Sequence, residues 1–243
     1  MHLDLSPYRQ IVVLSGAGVS AESGPSTYRG PGGVWEAHQV QDYGNARALA
    51  ENPAKTWQLF GGLRASIREA VPNAAHRALA QAEARLRPDQ QFLLITQNVD
   101  GLHQRAGSRR VVELHGTLLK TRCSSPACGL PPFQDDEAHL AAVPACPACG
   151  AALRPDVVLF DEELPARALW DSKRALRDCD LFLAIGTSGH VAPASNFVRA
   201  AAYAGARTVF INLEPLNPPN PAFQEAHLGR AGELLPRLLG VPG

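Results

Sequence analysis

Apolar residues in this chain gather into short runs of strand length, separated by stretches with helical spacing. Runs from Gln10 to Ser15, Phe92 to Thr96, Val111 to Leu114, Leu181 to Gly186 and Thr208 to Leu213 predict strands. Between them Ala75, Leu79, Ala82 and Leu86 recur on one helical face, and Asn73 stands ahead of them as an N-cap. A second helix is predicted from Pro53 towards Ala70, with Asn52 as cap and Pro53 in the first turn. Helical stretches also run from Pro165 to Arg177 and from Ala194 to Ala204. After the first strand, Gly16-Ala17-Gly18 turns the chain into a short helix, and residues 23–33, rich in Gly, Pro and Ser, read as a loop. Strands alternating with helices argue for an α/β fold with a parallel sheet. Residues 123–150 break the pattern. They are rich in Cys and Pro with little periodicity, so they read as a small insert held by something other than an apolar core.

Composition narrows the class. The 243 residues fit one large domain, or one domain with a small insert. With 23 basic and 23 acidic residues the formal charge is zero, which gives no electrostatic reason to expect nucleic acid as a partner. No apolar run approaches the ~20 residues of a membrane helix, and the N-terminus lacks the apolar core of a signal peptide. The expectation is a cytoplasmic protein, without membrane contact and monomeric. In a reducing compartment its five cysteines are metal ligands or core thiols sooner than disulfides.

Three groups of residues carry chemistry. Gly16-Ala17-Gly18-Val19-Ser20-Ala21 fits the glycine turn of dinucleotide sites, where backbone approaches a pyrophosphate at a helix start. The same pattern also fits a plain strand-to-helix turn. The acidic residue that ordinarily follows ~20 positions on is missing, so the site would be of a non-standard kind. The stretch from Thr96 to Gly116 places Gln97, Asn98, Asp100, His103 and His115 just past a strand, where ligands of open α/β sheets bind. Of eight histidines, His2, His38, His76, His139, His190 and His227 are read as structural, while His115 suits proton transfer. Cys123 and Cys128, then Cys146 and Cys149, form two pairs with 17 residues between them. Four thiolates complete a tetrahedral structural Zn²⁺ site with no open position; two disulfides or free thiols are the alternatives. Cys179 reads as a buried core thiol.

GAGVSAESG (16–24), TQNVDGLH (96–103), ELHG (113–116), the four cysteines, RPDVVLF (154–160), GTS (186–188) and INLE (211–214) stand in the order found in sirtuins. The chain resembles bacterial-type members of that family from Val12 to about Pro236. Sirtuins are NAD-dependent protein lysine deacylases. The resemblance implies a Rossmann-like parallel-sheet domain from residues 1–29, 73–118 and 155–243. It also implies a small domain made of a helical module (30–72) and a zinc ribbon (119–154). It implies NAD as co-substrate, one structural Zn²⁺ and acyl-lysine proteins as partners.

Roles follow from the same resemblance. Gly16, Ala17, Gly18 and Ala21 line the diphosphate and ribose, with Ser20 nearby, and Tyr28 and Arg29 lie in the cofactor loop. Gln97 meets the nicotinamide ribose, Asn98 and Asp100 form the nicotinamide pocket, and His115 is the general base. Ser188 binds phosphate and Asn212 and Glu214 serve the adenosine end, while Gly186, Thr187 and Ala231 also belong to the cofactor site. Val157, Val158, Leu159 and Phe160 receive the substrate backbone as an added strand.

The chain departs from the family pattern at four places. Pro25-Ser26-Thr27-Tyr28-Arg29 replaces Ile-Pro-x-Phe-Arg, Gly189 replaces a common Leu, and Phe160-Asp161-Glu162 replaces Phe-Gly-Glu. The Tyr-x-x-Arg that grips acidic acyl groups in the desuccinylase branch becomes Phe60 and Leu63. Neither binds a carboxylate, so neutral acyl groups should be preferred over succinyl. Arg64 would substitute if the helix shifted by one residue, and Gly61-Gly62 should weaken that helix. Two other readings stand beside the deacylase: NAD hydrolysis or ADP-ribosyl transfer on the same scaffold, and an NAD-sensing binding module.

Overall fold

The computed structural model describes residues 2–24 and 42–242. Strand β1 is Gln10–Ser15. The short helix expected after the glycine turn takes the form of two 3-10 turns, Ala17–Val19 and Ala21–Ser23. Helices α1 (Ala46–Glu51), α2 (Pro53–Glu69) and α3 (Ala74–Ala84) come next. Asn52 accepts from the Lys55 amide, and Asn73 closes a reciprocal capping box with His76, so both predicted caps form. Strand β2 (Gln91–Thr96) leads through the one-turn helix α4 (Leu102–Arg105) to β3 (Val111–Glu113). Then come β4 (Gly116–Cys123), β5 (Phe133–Gln134) and β6 (Leu153–Val157). The chain finishes with α5 (Ala166–Arg177), β7 (Leu181–Ile185), α6 (Phe197–Tyr203), β8 (Arg207–Asn212), β9 (Glu225–Leu228) and α7 (Ala231–Leu239).

Six strands form one parallel sheet in the order β3-β2-β1-β7-β8-β9. Side chains alternate across a strand, so Ile11 and Val13 enter one core while Val12 and Leu14 enter the other. The first core holds Leu79 of α3 and Leu235 of α7, and the second holds Leu176 of α5 and Phe197 of α6. Covering both faces explains why the central strands are unbroken apolar runs. The result is a doubly wound, Rossmann-like sheet. The chain grows outward from β1 to β3, then resumes at β7 on the other side, which puts the topological switch between β1 and β7.

A second sheet, β5-β4-β6, is antiparallel. Helix α2 packs beside it through Phe60 and Ile67, in a cluster with Val99, Leu118, Val157 and Leu159. The Gly61-Gly62 pair does not break α2, which runs unbroken across it. A Cβ on Gly61 would collide with the Ala138 carbonyl oxygen, so glycine here permits close packing against the insert. No described helix is long and apolar enough to cross a membrane.

Candidate active site

The switch point is built from two glycine turns pressed together. The Gly16 amide donates to the Ile185 carbonyl at 3.0 Å, and the Gly18 amide donates to that of Gly186 at 2.9 Å. A Cβ on Gly16 would lie 2.7 Å from the Gly186 oxygen, and one on Gly186, whose φ is +60°, would lie 2.5 Å from the Val19 amide. Only glycine permits this approach. Ligands in open α/β sheets bind outside the strand ends at such a point.

The polar block after β2 folds onto this turn. Asn98 donates through Nδ2 to the Gly16 carbonyl and to Ser20 Oγ, each at 3.1 Å. Ser20 Oγ donates to Asp100 Oδ2 at 2.7 Å, and the Leu102 amide donates to Oδ1 at 2.9 Å. Asn98 and Asp100 are buried. Burial pushes the Asp100 carboxyl upward, while the Ser20 and Leu102 hydrogen bonds favour its charged form and pull the other way. Gln97 Nε2 donates to Thr187 Oγ1 at 3.0 Å, tying the block to the loop after β7.

His115 stands between β3 and β4, with Nδ1 3.0 Å from the Gln97 carbonyl. A carbonyl only accepts, so Nδ1 carries the proton and Nε2 keeps its lone pair. Burial lowers the His115 pKa, partly offset by that hydrogen bond, so the ring is neutral at pH 7. The His115 carbonyl in turn accepts from the Val158 amide at 2.9 Å, which joins His115 to the segment from Val157 to Phe160.

That segment is less open than its sequence implies. The Leu159 amide donates to Glu162 Oε2 at 2.9 Å and the Phe160 amide to the Gly44 carbonyl at 3.0 Å. The Val157, Leu159 and Phe160 carbonyls are also engaged, by Arg154 Nη2 at 2.8 Å, the Glu162 amide at 3.2 Å and the Ala46 amide at 3.1 Å, so an added strand would have to displace these contacts or use the turn that follows. Val157 and Leu159 are buried, and Phe160 is exposed.

The four cysteine sulfurs lie within 4.8 Å of one another. Cys123 Sγ is 3.5 Å from that of Cys149, and Cys128 Sγ is 3.8 Å from that of Cys146. A tetrahedron of ~2.3 Å Zn–S bonds has edges of ~3.8 Å, so the thiols fit Zn²⁺. None of the five cysteines is paired in a disulfide. Cys179 is buried against the sheet, as expected of a core thiol.

The Sir2 family pattern matches residues 16–193. The chain belongs to the Sir2 family. The NAD-dependent protein deacylase 2 of Pyrobaculum aerophilum is 44% identical over 239 residues, covering 97% of this chain and 92% of that relative. A solved Sir2 homologue variant in complex with 2'-O-acetyl ADP-ribose is 36% identical with a TM-score of 0.86, covering 96% of this chain and 94% of its own. A solved Sir2 complex with a p53 peptide and NAD+ is 28% identical with a TM-score of 0.81, covering 96% and 93%.

The residues singled out in the sequence divide against this Sir2 fold. Gly16, Ala17, Gly18, Ser20, Ala21, Gln97, Asn98, Asp100, His115, Gly186 and Thr187 gather at the ends of β1, β2 and β7 through the contacts above, with Ser188 next in the loop. Asn212 and Glu214 lie at the end of β8, where Asn212 Nδ2 donates to the Glu214 carbonyl at 2.9 Å. Ala231 opens α7, whose next amide, that of Gly232, donates to Glu22 Oε2 at 2.9 Å. Tyr28 and Arg29 fall outside the described residues. Phe60 is 7% exposed and Leu63 packs beside it, so both belong to the cluster around Val99 and Leu159.

One sequence reading needs correction. Arg64 is no substitute carboxylate reader. Its side chain is 1% exposed and donates to the Glu137 and Lys120 carbonyls and to Thr121 Oγ1, each at 2.8 Å, beside Asp135 at 3.6 Å. His76 keeps its structural reading: it is buried in the Asn73 capping box, with Nε2 3.4 Å from Ser20 Oγ and its ring 4.8 Å from that of His103. His103 reaches Ser15 Oγ at 2.9 Å. Both rings are buried, and burial lowers their pKa values to about 4 for His76 and about 3 for His103.

Proposed function

We propose that this chain is an NAD-dependent protein lysine deacylase that releases nicotinamide, free lysine and 2'-O-acyl-ADP-ribose. One observation carries the reading. His115 Nδ1 lies 3.0 Å from the Gln97 carbonyl, which leaves Nε2 available to take a proton, and Gln97, Asn98 and Asp100 gather with it at the sheet's switch point. The donor set fits NAD: a glycine turn, Thr187 and Ser188 suit phosphate oxygens, and the Asp100 carboxylate suits positive charge at the nicotinamide ribose. NAD supplies an anomeric carbon that the acyl oxygen attacks as nicotinamide leaves.

The chain's residues then have distinct tasks. Gln97 and Asn98 orient the ribose. Asp100 stabilises the cationic centre. His115 Nε2 takes the proton of the ribose 2'-hydroxyl as that oxygen attacks the acyl carbon; the lysine amine then leaves, and water adds to the acyl carbon to give the 2'-O-acyl ester, with the former amide oxygen left on the anomeric carbon. The segment from Val157 to Phe160 and its following turn hold the substrate backbone. Acetyl and other neutral acyl groups are favoured over succinyl, because Phe60 and Leu63 stand where a carboxylate would need Tyr and Arg, and Arg64 is engaged elsewhere.

Turnover of matched acetyl- and succinyl-lysine peptides with NAD tests both levels. Acetyl-dependent nicotinamide release with faster deacetylation is expected. Faster desuccinylation overturns the acyl preference. Nicotinamide release that ignores the peptide replaces the deacylase with an NAD glycohydrolase.

A further inference from the structure

Residues 154–162 hold an ion pair that the catalytic assembly does not use. Arg154 lies on β6, just ahead of the proposed substrate segment, with its side chain 6% exposed. Its guanidinium forks onto both Glu162 oxygens, Nη1 to Oε1 at 2.5 Å and Nη2 to Oε2 at 2.9 Å. Nη2 also donates to the Val157 carbonyl at 2.8 Å, and Glu162 Oε2 accepts from the Leu159 amide at 2.9 Å. One ion pair therefore fixes backbone groups at both ends of the segment. The Glu162 amide closes a turn on the Leu159 carbonyl at 3.2 Å, with Phe160 and Asp161 at its centre. Asp161 adopts φ +67°, a conformation disfavoured for residues with a Cβ, so the turn needs support from outside itself. Such a bidentate contact supplies geometry as well as energy.

We propose that Arg154 and Glu162 are a positioning pair that sets the shape of the substrate-receiving turn, and so governs affinity for the acyl peptide separately from NAD. This rests on the reading that residues 157–160 and their turn receive substrate. Arg122, with 3.9 Å to Glu162 and 3.6 Å to Asp156 and a more exposed side chain, is a peripheral contact and serves as the control.

The test is steady-state kinetics with each substrate varied in turn, for wild type, Glu162→Gln, Arg154→Lys and Arg122→Met. Glu162→Gln keeps the shape and loses the charge. It should raise the peptide KM about tenfold, with kcat within about threefold and the KM for NAD unchanged. Arg154→Lys keeps the charge without the fork and should raise the peptide KM severalfold, while Arg122→Met leaves it near the wild-type value. Folded Glu162→Gln with an unshifted peptide KM overturns the pair, as does an equal rise in both KM values. If Glu162→Gln does not fold, the Arg154→Lys peptide KM decides, and no change there overturns it. Wild-type protein with no peptide-dependent turnover overturns the deacylase reading itself, a result distinct from any of these.

Discussion

Replacing Arg64 with methionine separates a structural arginine from an acyl-reading one. Methionine keeps much of the aliphatic stem's packing and removes only the guanidinium. That group is lost from the Glu137 and Lys120 carbonyls, from Thr121 Oγ1 and from Asp135, and it also leaves the Trp57 ring, 5.0 Å from the Arg64 Cζ. Removing one partner of a buried pair costs about 3–5 kcal/mol. Asp135 is not left stranded, because it is 15% exposed and keeps His139 Nε2 at 2.9 Å and the Glu137 amide at 3.1 Å. The low end, about 3 kcal/mol, is therefore expected. Urea unfolding measures the loss, and the acetyl-to-succinyl rate ratio of the folded fraction measures selectivity. Arg64→Met should lower stability and leave the ratio unchanged. Unaltered stability with a changed ratio would refute the reasoning and return Arg64 to the acyl pocket.

The buried rings of His76 and His103 make stability depend on pH. Their folded pKa values, about 4 and about 3, lie below the ordinary 6.5, so the unfolded chain takes up these protons first as pH falls. The contribution is complete above pH 6.5 and is lost on acidification from 6.5 through about 4 for His76 and about 3 for His103, at up to about 1.4 kcal/mol per pH unit for each ring. Urea midpoints at pH 7.5 and 5 should differ accordingly, with a smaller difference in His76→Gln; flat stability over that range contradicts their buried neutral state. Gly61→Ala adds a methyl directed at the Ala138 carbonyl, so it should destabilise by about 1–3 kcal/mol although alanine is the better helix former. A stabilised Gly61→Ala would show that α2 does not pack on the insert in this way.

Much of the fold was legible because its cause is local. β1 was read to its last residue, since a strand covered on both faces must be apolar throughout. Asn52 and Asn73 were readable as caps for the same reason. Strands β4, β6 and β9 were not, because GTLLKTRC, LRPDV and EAHL carry charged residues and are paired by partners distant in sequence. The short helix expected after Gly18 became 3-10 turns where Gly186 presses against it, a contact across 168 residues that no local pattern encodes. In the site, Asn98, Asp100 and His115 announced themselves by residue type and position after a strand. The engagement of Arg64 was not legible, because helical position alone could not show that its charge is already met by the Glu137 and Lys120 carbonyls.

The most direct measurement incubates wild type and His115→Ala with NAD and an acetyl-lysine peptide, and identifies the products by mass spectrometry. The account predicts equal amounts of nicotinamide, deacetylated peptide and O-acetyl-ADP-ribose from wild type. It predicts loss of deacetylation in His115→Ala with NAD binding retained. Free ADP-ribose beside an unaltered acetyl peptide, or undiminished deacetylation by His115→Ala, would contradict it.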